Sequence, residues 1–302
     1  MRNQPTRTSL PWAILALAAA MLLPAGCGRD AGDAPPPLPL NHVLLVVEPE
    51  TYAAVRESSF LREEFAFVEE RMTLADGGES WQGIYLYGAH TYLELFESDP
   101  NDRSEGSGLA LGVEEPGGLA RVASALAPLR DEPPEAIERS RVRDSDAVPW
   151  FSWVGLGTDD PGTSFWPWVM EYHPDYLRLW HGDESSDGNG ITLAEHRARE
   201  YVPSRLLIDI VRVTVALEDE EAEPLVRDLL ALGWSERSKP DARVLAGPAL
   251  ELRVEPYEEG RHGLVELGLT VRSGRSAGAA ERRLGASTLT FRGDGTATWS
   301  FR

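Results

Sequence analysis

Cysteine is all but absent from this chain, with Cys27 the only one in 302 residues. A lone thiol has no partner inside the molecule, which excludes an internal disulfide framework and a thiolate metal cluster. Basic charge is scarce too: 29 Lys and Arg stand against 49 Asp and Glu, for a formal charge of −20. A surface of that sign repels phosphate backbones, so no nucleic-acid partner is expected. The same acid excess is also the ordinary composition of a well-solvated surface. No Gly-rich phosphate loop leads into a helix and no nucleophile-elbow string occurs. Nucleotide, serine-hydrolase and thiol mechanisms therefore have no sequence signature here.

What is present begins with Arg2 and Arg7 ahead of an apolar run from Leu10 to Leu23, then Ala25 and Gly26 just before Cys27. Residues 1–26 read as an export signal. The run falls short of the ~20 apolar residues that cross a bilayer, so cleavage is the expectation. Losing Arg2 and Arg7 leaves the remainder more acidic still. The string LLPAGC resembles the lipobox of bacterial lipoproteins, although Pro24 stands where leucine is more usual. That resemblance implies that Cys27 becomes an acylated first residue, palmitate-bearing and anchored in a membrane of the cell envelope. An ordinary signal peptide with an incidental cysteine is the other reading. Gly28 replaces the aspartate that favours inner-membrane retention in enterobacterial lipoproteins, which implies an outer membrane, periplasm-facing location. Residues 27–40, with Pro35-Pro36-Pro37, are expected to form a lipidated flexible linker without a core-forming pattern.

With 42% apolar residues there is ample material for a core. HVLLVV, from His42 to Val47, is a continuous apolar run suited to a buried strand. A broken helical stripe through Tyr52, Val55, Phe60, Leu61, Phe65 and Phe67 follows it. Strands are then predicted at 70–74, 83–87 and 91–96, separated by Asp76-Gly77-Gly78 and Gly88. GLALGVEEPGG, from Gly108, repeats the opening HVLLVVEPET with Glu114 in the place of Glu48. Behind it come a helix over 119–129 and strands at 140–143, 150–154 and 165–172. A third pass starts at Val211, with a helix over 221–232 stopped by Gly233 and strands at 243–246 and 249–254. The fourth opens at Gly263, with a short helix near 279–284 and a hairpin over 287–301 around Gly293-Asp294-Gly295. The expected class is α+β, built of repeated βαβββ units. The expected domains are 41–181 and 205–302, with a polar connection over 182–204.

Four such units, with NHVLLVV on the first strand and TYLELF on the fourth, resemble the vicinal oxygen chelate superfamily of glyoxalases, extradiol dioxygenases and antibiotic-binding proteins. The chain is also similar to a bacterial family known only as a domain of unknown function. The superfamily resemblance implies two glyoxalase-like domains with curved mixed sheets, the second degenerate. It further implies a histidine on the first strand and a glutamate on the fourth as ligands of a divalent metal.

Physical chemistry addresses the same residues independently. Alternate residues share a strand face, so Glu94 is expected to point with His90, Tyr92 and Phe96. A carboxylate amid Leu93, Leu95 and Phe96 is costly unless paired, hydrogen-bonded or bound to metal. In WVMEYH, Glu171 with His173 repeats the arrangement. If the first two units pack as the resemblance implies, His42, Glu94 and Glu171 converge as metal ligands, with His90, Tyr92 and His173 lining a pocket. Such a set suits Zn, Mn or Fe. Gly108 stands where the second unit's first strand would supply the remaining ligand, so a weaker set or a metal-free site are both open. His42 as a satisfied core histidine and Glu94 as an arginine's partner are the plain alternatives. For Tyr85, Tyr87, Trp150, Trp153, Trp166 and Trp168 the default is packing, although an aromatic-lined pocket needs the same residues. In the second half Glu251 matches Glu94, but Arg212 replaces His42 and cannot bind metal, so an Arg212–Glu251 ion pair is expected. The chain thus reads as an envelope lipoprotein binding a small molecule in a concave sheet without chemistry. A metal-dependent lyase or dioxygenase using His42, Glu94 and Glu171 is the alternative.

Overall fold

The computed structural model describes residues 34–98, 106–143, 146–158, 163–181, 192–239, 241–273 and 281–301. The export signal, Cys27 and residues 182–191 of the expected connection lie outside the described residues. The first half runs β1 (Leu40–Val47), α1 (Pro49–Glu57), β2 (Phe67–Leu74), β3 (Ser80–Tyr87), β4 (Tyr92–Glu97). It continues with β5 (Ser107–Val113), α2 (Gly118–Leu126), β6 (Ile137–Arg143), β7 (Asp146–Gly155) and β8 (Phe165–Tyr172). Two short helices, α3 (Pro174–His181) and α4 (Leu193–Arg197), follow. The second half is β9 (Leu207–Leu217), α5 (Asp219–Ala231), β10 (Ser235–Lys239), β11 (Ala242–Gly247), β12 (Leu250–Pro256), β13 (Gly263–Val271), β14 (Glu281–Leu284), β15 (Ser287–Phe291) and β16 (Thr296–Ser300).

Each half makes one eight-stranded mixed sheet, ordered β2-β3-β4-β1-β5-β8-β7-β6 and β10-β11-β12-β9-β13-β16-β15-β14. In the first three units the opening strand pairs in parallel with the closing one: β1 with β4, β5 with β8, β9 with β12. Parallel pairing demands a crossover that carries the chain back along the sheet, and α1, α2 and α5 supply it. This is the repeated βαβββ architecture that the resemblance implied. The two units of each half join through antiparallel pairs, β1 with β5 and β9 with β13.

The fourth unit departs from the pattern. Strand β13 pairs with β16 antiparallel, and Glu281–Leu284, expected to be helical, is strand β14. Strand β14 runs opposite to β13, so the last three strands run the other way from those of the first three units. The Gly293 hairpin forms between β15 and β16 as expected.

One face of each sheet carries helices and the continuous core. On β1 the odd residues Val43, Leu45 and Val47 are buried there, with Leu109, Leu111 and Val113 of β5 beside them. Leu38 and Pro36, inside the expected linker, are buried as well, and Gly112 N–H donates to Pro39 O at 2.8 Å. The end of that segment therefore belongs to the fold, because Leu38 and Leu40 have apolar surface that the sheet covers.

The halves share this core. Phe65, on the turn after α1, meets Phe291 and Trp299 of the second sheet edge-on, at 6.3 and 6.1 Å between ring centroids. Polar ties reinforce the junction. Asp209 of β9 accepts from His90 N–H and Thr91 N–H at 2.8 and 3.0 Å. Asp228 of α5, fully buried, accepts from Arg130 Nη1 at 2.9 Å, from Arg130 Nη2, and from Gly157 N–H at 2.8 Å. Removing one partner of a buried ion pair strands the other charge. Asp228→Ala is therefore expected to lower unfolding free energy by about 3–5 kcal/mol, read from the urea midpoint. A loss below ~1 kcal/mol would show that water solvates Arg130 in its place.

Candidate functional site

The opposite, concave face of the first sheet encloses a cavity of about 400 Å³. Strand alternation decides what it sees. Even residues point inward from β1 (His42, Leu44), β4 (Tyr92, Glu94, Phe96) and β8 (Trp166, Trp168, Met170, Tyr172). Arg71 of β2, Trp81 and Tyr85 of β3, Arg139 of β6 and Trp150, Phe151 and Trp153 of β7 complete the wall. The sheet curls until its outer strands touch. Ala75, just past β2, bridges Arg141 of β6, Arg139 Nη2 reaches Glu79 Oε2 at 2.5 Å, and the Trp81 and Trp150 rings stack at 6.2 Å.

Several rings lie over glycines of the neighbouring strand. A Cβ on Gly108 would stand 2.6 Å from the Trp168 ring, and one on Gly83 2.7 Å from Phe96. These glycines, with Gly106 beneath the Trp166 ring, leave the depth that the rings fill.

At one end of the cavity the polar groups form a packed cluster. The Tyr92 ring stacks on His42 at 4.6 Å, and the edge of Trp168 closes on the same imidazole at 5.4 Å. His42 Nδ1 lies 3.0 Å from Asn41 Oδ1, which also receives Arg197 Nη2 at 3.3 Å. Since a guanidinium only donates, that amide atom is the acceptor; His42 carries its proton on Nδ1 and presents Nε2 as a lone pair. Burial, then the charges of Arg197 and Arg71, hold His42 well below the usual imidazole value, so it is neutral. Arg197 of α4 is buried with its guanidinium 3.9 Å above the Tyr92 ring. Arg71 packs over Tyr85 at 4.0 Å, its Nη1 held by Tyr87 Oη at 3.2 Å and Glu69 Oε2 at 3.3 Å. Glu94 sits half-buried between β1 and β3, opposite Leu44 and Tyr85. Burial raises its carboxyl to about 7, against the pull of Arg71, the neighbouring Tyr92 hydroxyl and Arg197.

Of the residues singled out in the sequence, His42, Tyr92 and Glu94 meet in this cavity. Glu171 does not. It is odd-numbered on a strand whose even residues face inward, and its carboxylate accepts Gly117 N–H at 2.6 Å and Leu119 N–H at 2.9 Å at the start of α2. It caps that helix, where a negative charge is favoured. His90 lies in the turn before β4, with Nδ1 2.8 Å from Asp209 Oδ2, and His173 Nδ1 accepts Asp175 N–H at 3.2 Å beside α3. In the second half Arg212 faces Glu251 across the β9–β12 pair but bonds instead to Glu266 Oε1 at 3.1 Å. Arg71 and Arg197 were not anticipated. The signal for Arg197 was the string Thr192-Leu-Ala-Glu195, which forms a capping box at the head of α4.

The superfamily's divalent metal is poorly served by these residues. His42 and Glu94 supply two donors, Glu171 faces the other side, and the Trp168 ring fills the space before Gly108. Arg71 and Arg197 add positive charge to the same end. Among the described residues no three His, Cys, Asp or Glu side chains gather as a ligand set, whereas catalytic zinc sites use three protein ligands. Purified protein equilibrated with Zn or Mn and then desalted is expected to retain well under one ion per chain by elemental analysis, unchanged in His42→Ala. Stoichiometric metal lost in that variant would overturn this reading of the donor set.

The Glu94 environment also sets a pH dependence. Its folded value lies above its unfolded one, so the stability it contributes is complete below the unfolded carboxyl's titration and is lost as pH rises through about 7. Glu94→Gln has no such proton to lose. The Tm of the variant relative to the parent is expected to climb between about pH 5 and 8 and to level off on either side. A difference independent of pH would mean that Glu94 ionises as an ordinary surface carboxyl does.

Comparison with known proteins adds the following. Solved structures similar to the chain include a hypothetical protein from Staphylococcus aureus, 12% identical over 73% of this chain and 86% of that one, with a TM-score of 0.46. A catechol 2,3-dioxygenase is 13% identical over 79% and 72%, TM-score 0.43. A xylose isomerase-like TIM barrel/4-hydroxyphenylpyruvate dioxygenase fusion protein is 14% identical over 74% of this chain, which spans 33% of that one, TM-score 0.41. At such identities none of the three bears on activity. No curated protein matches. The family of unknown function DUF5829 matches residues 40–301, from the first residue of β1 to just beyond β16. The chain belongs to that family.

Proposed function

We propose that this protein is a small-molecule-binding lipoprotein of the cell envelope, whose first sheet holds an apolar, ring-bearing ligand. The observation that carries the binding reading is the wall itself, in which five tryptophans, with tyrosines and phenylalanines, surround a volume of about 400 Å³. That volume is ordinary for a ligand pocket, and an apolar lining with a few placed polar groups is how such pockets bind. Flat rings stacked on indoles gain about 0.5–1.5 kcal/mol each beyond the area they bury. The envelope location rests on the apolar run before Cys27 and the LLPAGC string.

Because five tryptophans line the cavity, a ligand reports on itself through indole fluorescence. Titrating the purified protein with 2-naphthalenemethanol, a neutral two-ring probe, is expected to give a saturable change, weakened about threefold to tenfold in Trp168→Ala. A strictly linear response in the parent would remove the binding reading. For the anchor, the N-terminal peptide from the membrane fraction is expected to carry acyl chains on Cys27, and Cys27→Ser to release the protein to the soluble fraction. An unmodified thiol on the mature protein would leave an ordinary exported protein.

A further inference from the structure

The cavity holds hydrogen-bond donors that the protein itself does not use. Both bonds of the Arg71 guanidinium to Tyr87 and Glu69 leave from Nη1. Its Nε–H, buried, has no acceptor among the described residues. The same is true of Trp150 Nε1–H on the facing strand β7, where the ring stacks on Trp81. A buried donor left without an acceptor costs about 1–3 kcal/mol; both atoms are covered by neighbouring side chains, so what a guest meets is the part of Arg71 that lines the cavity. The charges agree. The cavity is lined by two guanidiniums, Arg71 bonded to Glu69 and Arg139 to Glu79, and by one carboxyl, Glu94, which burial raises to about 7, while His42 is neutral. A third guanidinium, Arg197, stands behind the Tyr92 ring, its described bonds going to Asn41 Oδ1 and Tyr172 Oη, both uncharged.

We propose, resting on the ring-binding reading above, that the ligand is a planar aromatic anion, an aryl carboxylate or equivalent, whose ring lies among the indoles and whose charged oxygens meet the Arg71 guanidinium. An aromatic cage is also the setting for a cation. Here an ammonium would meet Arg71 and Arg139 on the same wall, and its only lining counter-charge would be Glu94. The oxygens of an anion accept from a guanidinium with the strength of a charge-assisted bond.

Three probes that share one ring system separate the claims. At pH 6.5, calorimetric titration of the whole protein with 2-naphthoate, 2-naphthalenemethanol and 2-naphthylmethylammonium is expected to rank them in that order, with the carboxylate at least ~10-fold tighter than the alcohol. Arg71→Met is expected to bring the carboxylate-to-alcohol affinity ratio down to about one. Arg71→Lys, which keeps the charge and loses the guanidinium, is expected to fall between; it also serves as the reading should the methionine variant not fold. An ammonium that binds tighter than the carboxylate, or a carboxylate-to-alcohol ratio indifferent to both substitutions, overturns the anion assignment while the cavity remains a ring-binding site. Failure of all three probes overturns the ring-binding reading and this proposal with it.

Discussion

The antiparallel pairing of β1 with β5 is the constraint on which the rest of the molecule depends. It joins two units whose own strands hold together through helical crossovers, and it sets which residues of the central strands face the core and which face the cavity. Val43 and Leu45 go one way, His42 and Leu44 the other. A slip of one residue would place His42 under the helices and push leucines into the cavity, which the buried core on the helix side forbids. The irregularity between Leu40 and His42 falls at the end of that pairing. It puts Asn41 within reach of both His42 and Arg197.

Around this seam the cavity balances opposing demands. Rings need depth, and glycines on the adjoining strand provide it: Trp168 occupies the room that a side chain at Gly108 would take. The polar cluster is costly to bury, and most of the cost is offset by stacking and charge-assisted bonds, with Arg71 on Tyr85 and Arg197 on Tyr92. At Glu94 burial outweighs the relief that Arg71, Tyr92 and Arg197 give, and the carboxyl holds its proton toward neutral pH. The donor set at that end is two side chains, His42 and Glu94, beside two guanidiniums.

Much of this was legible in the sequence. The continuous apolar run of β1, the amphipathic α2, the Gly233 stop after α5 and the Gly293 hairpin each carry a local signal that tertiary context left intact. Glu94 was legible because a carboxyl inside YLELF has no cheap place to go. Glu171 misled for a related reason: it too sits among apolar residues, but which face of a strand becomes the cavity depends on packing, and α2 took its carboxylate as a cap. Strand β10, Ser235–Lys239, has no apolar alternation because it lies at a sheet edge, and sheet pairing rather than side-chain pattern defines it. Arg197 escaped because a polar, helix-poor segment reads as a connection, and only its capping box marked the turn that buries it. The reversed fourth unit escaped because strand direction cannot be read from composition.

Where the outer strands of the first sheet touch, at Ala75 and Arg141, the gutter becomes a short sleeve. Two otherwise unpaired strand margins guard one another there, which denies a foreign strand its template and closes one route to self-association.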